Sequence, residues 1–238
     1  MKTYLINYAH NICYHSQKYN SYMGRMQGRF DIIIPYGFQD IDDDFKEKNE
    51  HILSQQRGAG YWLWKPYLIC KTLDQMKDGD WLMYADSGSW FIHSMKHLIE
   101  PCRALNGLML FHNDPWNINS HWTKRDCFVK MDGDTEEITA KRQLEASFVF
   151  CQKNDFVVHF MREWLRWCQT DEIVTDAANV CGEENYPGFC DHRHDQSILS
   201  ILACQLKVEA IEPIYKGYGA QGHPLGIPQI IHHSRIRD

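Results

Sequence analysis

Short apolar segments that alternate with helix-length segments constrain the fold of this chain more than any other feature. Five segments rich in β-branched and aromatic residues are predicted as strands, at 3–9, 30–36, 81–85, 107–113 and 145–152. Helices are predicted between and after them, and the clearest, at 155–169, carries large apolar residues at helical spacing. A further helix at 195–206 leads into a short predicted strand at 207–212. This alternation predicts an α/β sandwich with a mostly parallel central sheet.

The composition narrows the class of protein. The net charge is −6, from 25 basic and 31 acidic residues, which argues against a general electrostatic grip on nucleic acid or on an anionic membrane. No stretch approaches the roughly 18 apolar residues of a membrane span, and the first residues lack the apolar core of a signal peptide. The nine cysteines are scattered and include no C-x-x-C pair. We therefore expect a cytoplasmic protein with free thiols, no nucleic-acid partner and no membrane span.

The segment WLMYADSG, at 81–88, runs an apolar strand into Asp86 and then into the small residues Ser87 and Gly88. Ligands of parallel sheets bind beyond the carboxyl ends of the strands, where Asp86 is expected to lie. A carboxylate there can hold a hard divalent cation, and the cation can bind a diphosphate. Asp-Ser-Gly is also ordinary turn chemistry, so the residues alone leave both interpretations open.

The segment RGAGYWLWKPY, at 57–67, concentrates aromatic and cationic residues. The aromatic rings could stack on a nucleobase, and Arg57 or Lys65 could meet phosphates or sugar hydroxyls. The alternative is that Trp62 and Trp64 are core residues at the start of the helix that follows, because large aromatic side chains are mostly buried.

Two more segments contain candidate functional residues, which are histidines and an aspartate. In HRHDQSILSIL, at 192–202, Asp195 is either a helix cap or a functional acid, beside His194 and Gln196. Near the end of the sequence, His232 and His233 are neighbours in a predicted strand, so they point to opposite faces and one at most serves a given site. A zinc site is not expected, because the spacing of the nearby cysteines and histidines fits no compact zinc pattern: Cys181, Cys190, His192 and His194.

Four segments, taken in order, resemble the blocks of GT-A-fold glycosyltransferases: GYWLWKPY, GDWLMYADSG, HWTKRDCF and HRHDQSIL. The likeness is greatest to the small nucleotide-sugar transferases of bacterial surface-polysaccharide clusters and of large algal viruses, and it spans about residues 3–234. It implies a single GT-A domain over 1–238, a Rossmann-like α/β/α sandwich. The nucleotide-sugar is then expected to bind to the half at about 1–105, and the acceptor to the half at about 106–238.

The resemblance also implies roles for individual residues. Asp86 lies in the place of the Asp-x-Asp motif that holds Mn²⁺ or Mg²⁺, and His232 or His233 matches the histidine that completes the metal site. The donor is expected to contact Asn7, Tyr8, Ala9, Arg57, Trp64, Lys65, Asp86 and Gly88. Donor sugar or acceptor is expected to contact His194, Asp195 and Gln196. The motif here has no second acid, so the metal is expected to bind together with the donor diphosphate.

The expected reaction is transfer of a sugar from a UDP- or GDP-linked donor to a hydroxyl group of a glycan or a lipid-linked glycan. The metal held by Asp86, together with Lys65 and Arg57, would stabilise the charge on the leaving diphosphate, and Asp195 would accept the acceptor proton if the anomeric configuration inverts. Two alternatives remain: a non-catalytic carbohydrate- or nucleotide-binding protein on a decayed transferase fold, and a nucleotide-sugar hydrolase. The sequence also leaves open whether the enzyme acts at the inner face of a membrane.

Overall fold

Strands form the middle layer of the molecule. The computed structural model describes residues 1–10 and 13–233, so Ser234, the last residue of the resemblance, lies outside the described part. The strands are β1 Thr3–Tyr8, β2 Ile32–Tyr36, β3 Trp81–Ala85, β4 Ser89–Phe91, β5 Leu108–His112, β6 Leu144–Gln152, β7 Ala210–Ile211 and β8 Ile231–His233. Within the described residues six of them form one sheet, in the order β2-β1-β3-β6-β5-β7, and β4 pairs with β8.

The direction of the strands confirms the predicted sheet. β1 lies parallel to β2 and to β3, and β5 lies parallel to β7. β6 runs antiparallel to both of its neighbours, β3 and β5. Five of the six described strands of this sheet therefore point the same way, and their carboxyl ends meet at one edge.

The helices are α1 Tyr14–Met23, α2 Asp43–Lys48, α3 Glu50–Leu53, α4 Gly58–Tyr61, α5 Trp64–Gln75, α6 Ile99–Ala104, α7 Asn119–Trp122, α8 Arg125–Lys130, α9 Glu136–Thr139, α10 Asp155–Cys168, α11 Asp171–Val174 and α12 Asp195–Gln205. A π-helical turn, Gly24–Gly28, continues α1. The polar and charged segment 41–56 predicts a single helix, and this prediction is wrong. The segment forms two short helices, α2 and α3, because the chain leaves helical geometry at Asn49, whose φ is −116° and ψ 22°. In the part of the chain described here, no helix combines the length and the apolar character needed to cross a membrane.

Two apolar layers cover the two faces of the sheet. Adjacent strand residues point to opposite sides, so Ile6 and Leu5 of β1 belong to different clusters. The Ile6 side packs against α5, α10 and α12, and each fully buried aromatic residue there, such as Trp164, contributes about 1.5–3 kcal/mol. The Leu5 side packs against α6 and the β4–β8 pair. The predicted α/β/α sandwich is therefore confirmed.

Candidate active site

Three charged side chains meet at the carboxyl edge of the sheet. They come from the start of α5 (Lys65), the end of β3 (Asp86) and the start of α12 (Asp195). The Lys65 ammonium lies 2.8 Å from Asp195 Oδ2 and 3.9 Å from Asp86 Oδ1. The side chains of Lys65 and Asp195 are 3% and 4% exposed, whereas that of Asp86 is 32% exposed. Only the last of the three therefore offers a ligand a substantial surface.

The Lys65 ammonium is held by charge. Burial disfavours the cation, but the carboxylates of Asp195 and then Asp86 outweigh burial and raise the pKa of Lys65. Its Nζ also lies 5.4 Å from the centre of the Tyr84 ring, whose π-face favours a cation. Because Lys65 is enclosed, its direct contact is with the two acids, and contact with a donor diphosphate stays a prediction.

Asp195 is the acid with the most perturbed environment in this group. Burial raises the pKa of Asp195 to about 6, against the opposing effect of the Lys65 charge and hydrogen bond. Its backbone carbonyl accepts a hydrogen bond from Trp164 Nε1 at 2.8 Å, which fixes the first turn of α12 against α10. A carboxyl group with this pKa can exchange a proton near neutral pH.

Hydrogen bonds of its side chain and of its backbone fix the orientation of Asp86. The Tyr84 hydroxyl donates to Asp86 Oδ1 at 2.5 Å, and the Asp86 backbone N–H donates to the Ser147 carbonyl of β6 at 2.9 Å. In the following turn, which contains Gly88, Ser87 Oγ donates to the Tyr8 carbonyl at 2.5 Å. The ends of β1, β3 and β6 are therefore tied together around this carboxylate.

The predicted nucleotide contacts on β1 occupy different environments. Asn7 is buried, and its amide donates to Asn20 Oδ1 at 2.7 Å and to Ser21 Oγ at 3.0 Å in α1. Ala9 is also buried, and its N–H donates to the Tyr36 carbonyl. Both residues hold the scaffold together, and their contact with a nucleotide stays a prediction.

Tyr8 and Trp64 form an aromatic pair above the sheet. Their rings stack with centres 3.8 Å apart and planes 18° apart, and Trp64 Nε1 donates to the Gly58 carbonyl at 2.9 Å. Both side chains are mostly buried. This burial agrees with the alternative interpretation of Trp64 as a core residue. The pair lies next to Lys65, because the Lys65 ammonium is 5.8 Å from the Trp64 ring centre.

The short element α4 and the next residue, Trp62, form a left-handed stretch of backbone that separates Arg57 from α5. All five residues from Gly58 to Trp62 have φ between 50° and 98°. For the non-glycine residues this costs about 1–2 kcal/mol each, and such strain concentrates where a fold positions functional groups. This left-handed course of the backbone places the Tyr61 and Trp62 rings 4.7 and 5.4 Å from the His194 ring. The two glycines of RGAG, at 57–60, predict a break in the chain, and the break is present, but its left-handed course was not predicted.

Replacing Gly60 with alanine should destabilise the protein by about 2–4 kcal/mol, because strain and overpacking add. The φ of Gly60 is +98°, and a Cβ there would lie 2.7 Å from Leu53 Cα. The matched control is Gly182→Ala, where φ is +84° and nothing lies within 4 Å of the added carbon, so the loss should be about 1 kcal/mol. Urea unfolding measures both, and equal losses would contradict the packing described for Gly60.

Arg57 takes part in a different set of contacts. Its guanidinium pairs with Asp176 at 3.1 Å and with Asp191, and it donates to the His192 carbonyl at 3.3 Å. These contacts fasten the irregular segment 175–194 to the start of α4. A contact between Arg57 and the donor diphosphate therefore stays a prediction, and it would require the guanidinium to share or exchange these partners.

His194 and Gln196 support Asp195 from either side. His194 is buried, its Nδ1 lies 2.7 Å from the Val174 carbonyl, and burial lowers its pKa to about 4, so the ring is neutral. Gln196 Oε1 accepts from the Ala146 N–H at 3.2 Å, and Gln196 Nε2 donates to Gln143 at 2.8 Å. The contacts to substrate predicted for both residues stay predictions.

The two histidines of β8 face different ways, as predicted. His232 lies opposite Trp90, is exposed, and stacks on the Trp90 ring at 4.5 Å. His233 lies opposite Ser89 and packs at 5.4 Å from the ring of Phe148, the residue that pairs with Ala85 beside Asp86. His233 is therefore the histidine that packs against the central sheet, next to the strand end that carries Asp86.

Glu145, at the start of β6, was missed by sequence reasoning. This buried carboxylate accepts from the Tyr215 hydroxyl at 2.7 Å and from Ser147 Oγ at 3.2 Å, and the carbonyl of Ser147 accepts from Asp86 N–H. Tyr215 in turn packs 5.3 Å from the His233 ring. An acid in the otherwise apolar segment EASFVFCQ was the available signal.

The fit of a metal to these residues is incomplete. Among residues 1–10 and 13–233, no three His, Cys, Asp or Glu side chains are grouped so as to hold a metal ion. Asp86 offers a partly exposed carboxylate, and the contribution of His232 or His233 stays a prediction. A divalent cation at this edge would therefore need oxygen ligands from elsewhere, such as a diphosphate.

Comparison with known proteins gives likenesses in fold alone. No protein-family model and no curated protein matches the chain. A glycosyltransferase involved in the glycosylation of the major capsid of PBCV-1 matches at 7% identity and a TM-score of 0.39, over 70% of this chain and 66% of that chain. Mouse xyloside xylosyltransferase 1 matches at 8% identity and a TM-score of 0.47, over 89% and 84%. The WbbM bifunctional glycosyltransferase matches at 9% identity and a TM-score of 0.48, over 84% of this chain and 37% of its own.

Proposed function

We propose that this chain is a GT-A-type glycosyltransferase that moves a sugar from a UDP- or GDP-linked donor to a hydroxyl group of a glycan or lipid-linked glycan. The observation that carries the proposal is the Asp86–Lys65–Asp195 group at the carboxyl edge of a mostly parallel sheet. One acid is open to a ligand and the other is enclosed with a raised pKa. Such an edge is where ligands of α/β sheets bind, and two acids in unlike environments suit two different roles.

The donor is proposed to bind the half at about 1–105, at the Asp86 end. Asp86 and His233 would hold Mn²⁺ or Mg²⁺ together with the donor diphosphate, and the cation would neutralise the charge that develops on the leaving group. The Tyr8–Trp64 pair would contact the donor through the small part of its surface that is exposed. This scheme does not require a second acid in the Asp-Ser-Gly segment, because oxygen atoms of the diphosphate would also bind the cation.

Asp195 is proposed to act on the acceptor, bound by the half at about 106–238. As the acceptor oxygen bonds to the anomeric carbon, the bond from that carbon to the diphosphate breaks, and the diphosphate leaves with the electron pair. The acceptor proton passes to the Asp195 carboxylate, which the adjacent Lys65 ammonium keeps ionised above pH 6 or so. If the anomeric configuration is retained instead, Asp195 orients the sugar.

Sugar transfer should therefore fall as the pH drops below about 6. Burial raises the pKa of Asp195 to about 6, so the proton-accepting form is lost as the pH passes below that value. The measurement is kcat/KM against pH for transfer, with the midpoint of thermal unfolding measured at each pH. An acidic limb centred near pH 4, where ordinary carboxyl groups titrate, would contradict the base role.

Turnover of a donor panel tests the proposed function. The purified chain is incubated with UDP- and GDP-sugars, Mn²⁺ and oligosaccharide acceptors, and products are identified by mass. The expected result is a glycosylated acceptor together with free nucleoside diphosphate. Donor breakdown that no acceptor redirects would instead identify a hydrolase.

A non-catalytic nucleotide- or carbohydrate-binding protein is the second candidate. The lone acid of Asp-Ser-Gly and the enclosure of Lys65 favour it. Tight binding of a nucleotide sugar without turnover of any donor and acceptor pair would support it over the transferase.

A further inference from the structure

Helix α1 exposes its aromatic residues and buries its amides. The buried side chains of the helix are Gln17 and Asn20, whose amide nitrogens donate to the Tyr36 carbonyl at 2.7 Å and to the Ser89 carbonyl at 2.8 Å. The exposed large aromatic and apolar side chains of this segment are Tyr14, Tyr19, Tyr22 and Met26, each between 45% and 58% exposed. This is the reverse of a surface helix whose apolar side faces the core.

These exposed residues share one side of the helix. At about 100° per residue, an arc of about 140° contains what we name the tyrosine face: Tyr14, Lys18, Tyr19, Tyr22 and Met26. The opposite side packs closely on the sheet, since a Cβ on Gly24 would lie within 2.3 Å of the Leu5 side chain. The tyrosine face is therefore a fixed surface on a well-seated helix.

The segment that carries this face is cationic in an acidic chain. Residues 14–29 contain Lys18, Arg25 and Arg29 and no aspartate or glutamate, although the whole chain has a net charge of −6. All three cations are exposed, and the Arg25 guanidinium also donates to the carbonyls of Phe30 and Asp31 at 2.8 and 2.7 Å. Among the ion pairs of the described residues, none involves these three side chains.

The tyrosine face adjoins the candidate active site. The Tyr19 ring contacts the Trp90 ring edge-on at 5.5 Å, and Trp90 lies in β4, which begins three residues after Asp86. Burial raises the pKa of the Tyr8 hydroxyl, and Tyr14, at the other end of the face, raises it further. A surface that binds to the tyrosine face would therefore lie next to the rim of the candidate active site.

We propose that the tyrosine face docks on an anionic lipid bilayer. Tyrosine rings have an apolar body and a polar tip and sit at the level of the lipid headgroups, while lysine and arginine near the surface attract anionic lipids. A second copy of the chain is disfavoured, because a two-fold contact through this face would set cations against cations. The inference goes beyond the proposed function and does not depend on it, although it suits a lipid-linked acceptor.

Cosedimentation with vesicles tests the proposal. The probes are vesicles of phosphatidylcholine alone and of phosphatidylcholine mixed with phosphatidylglycerol, at low and high salt. With three cations at the surface, we expect about 100-fold stronger partitioning onto the anionic vesicles, and weaker binding at high salt. The variants are Lys18→Glu and the double variant Tyr22→Ser with Met26→Ser, each expected to weaken partitioning at least about tenfold.

The matched control carries Val129→Ser and Leu206→Ser. These two exposed apolar residues lie in α8 and at the end of α12, on the other side of the sheet, so vesicle binding should not change. Transfer to a water-soluble acceptor should be the same in all variants, which separates this proposal from the proposed function. Failure of the wild-type chain to bind anionic vesicles, or equal binding by the variants, overturns the proposal. So does a dimer in sedimentation that the Tyr22 and Met26 substitutions abolish, because the occupant is then a second copy.

Discussion

Replacing Asp86 with asparagine should lower the rate of sugar transfer about 10²–10³-fold, the usual loss when one group that stabilises transition-state charge is removed. The amide keeps the shape of the side chain but loses the charge that would hold a cation and its diphosphate. Because the side chain is partly exposed, the midpoint of thermal unfolding should change little.

Asp134→Asn is the matched control for this substitution. Asp134 also accepts a tyrosine hydroxyl, from Tyr186 at 2.7 Å, and also pairs with a cation, Arg125 at 2.9 Å. It is 25% exposed, close to the exposure of Asp86, so the two substitutions disturb similar contacts. Transfer should be lost only in Asp86→Asn. Near-normal transfer in that variant would remove Asp86 from the mechanism.

Replacing Lys65 with methionine should destabilise the protein by about 3–5 kcal/mol, because it leaves the buried Asp195 carboxylate without its counter-charge. The free energy of unfolding in urea measures the loss. Without Lys65, the pKa of Asp195 in the folded state rises further above its unfolded value. The folded variant therefore holds the Asp195 proton more tightly than the unfolded chain does, and its stability falls as the pH rises. The loss relative to wild type should be larger at pH 8 than at pH 5.

Lys124→Met provides the comparison for this loss. Lys124 is buried as deeply as Lys65 and lies 3.7 Å from the buried Asp126. Burial acts to raise the pKa of Asp126, but the N–H groups of Val180 and Cys181 donate to its carboxylate and the net pKa is lowered. Asp126 therefore keeps strong partners when the lysine is removed, and the loss should be smaller and nearly independent of pH. Equal losses in the two variants would show that the Lys65 charge does not support Asp195.

Most strands of the central sheet could be predicted closely because they are short, largely apolar runs, whereas the three-residue strand β4 was not predicted. The predicted strand at 81–85 matches Trp81–Ala85, and that at 145–152 differs by one residue from Leu144–Gln152. The predicted strand at 207–212 is reduced to Ala210–Ile211. Among the described strands its backbone pairs with β5 alone, near the end of that strand, and no local sequence pattern predicts this limit.

The site could be predicted only where its residues lie in ordered motifs. Asp86, Lys65 and Asp195 lie in the segments that carry the family resemblance. However, these residues are up to 130 positions apart in the sequence, and the sequence alone does not show that they contact one another. No local pattern showed that Lys65 would be enclosed between the two acids. The role of Glu145 depends on a contact with Tyr215, 70 residues away, so it too was invisible in the sequence.

The tyrosine face shows a different limit of sequence reasoning. The net charge of −6 argued against attraction to an anionic membrane, yet it averages over the whole surface. The cations of 14–29 are neighbours in sequence, but only the buried amides of Gln17 and Asn20 reveal which side of α1 faces outward. Composition therefore concealed a local surface of opposite charge.

A thermal-shift titration tests most directly whether the Asp86 edge is a donor site. The wild-type chain and the Asp86→Asn and Asp134→Asn variants are each heated with UDP, GDP and their sugars, with and without Mn²⁺. A ligand at about 100 times its dissociation constant adds about 2.7 kcal/mol, which raises the unfolding midpoint of a domain of this size by about 5–10 °C. We expect one nucleotide class to give this shift with Mn²⁺ in the wild-type chain and in Asp134→Asn, and not in Asp86→Asn. A wild-type chain that no nucleotide shifts, or a shift that survives in Asp86→Asn, would contradict a donor site built on Asp86.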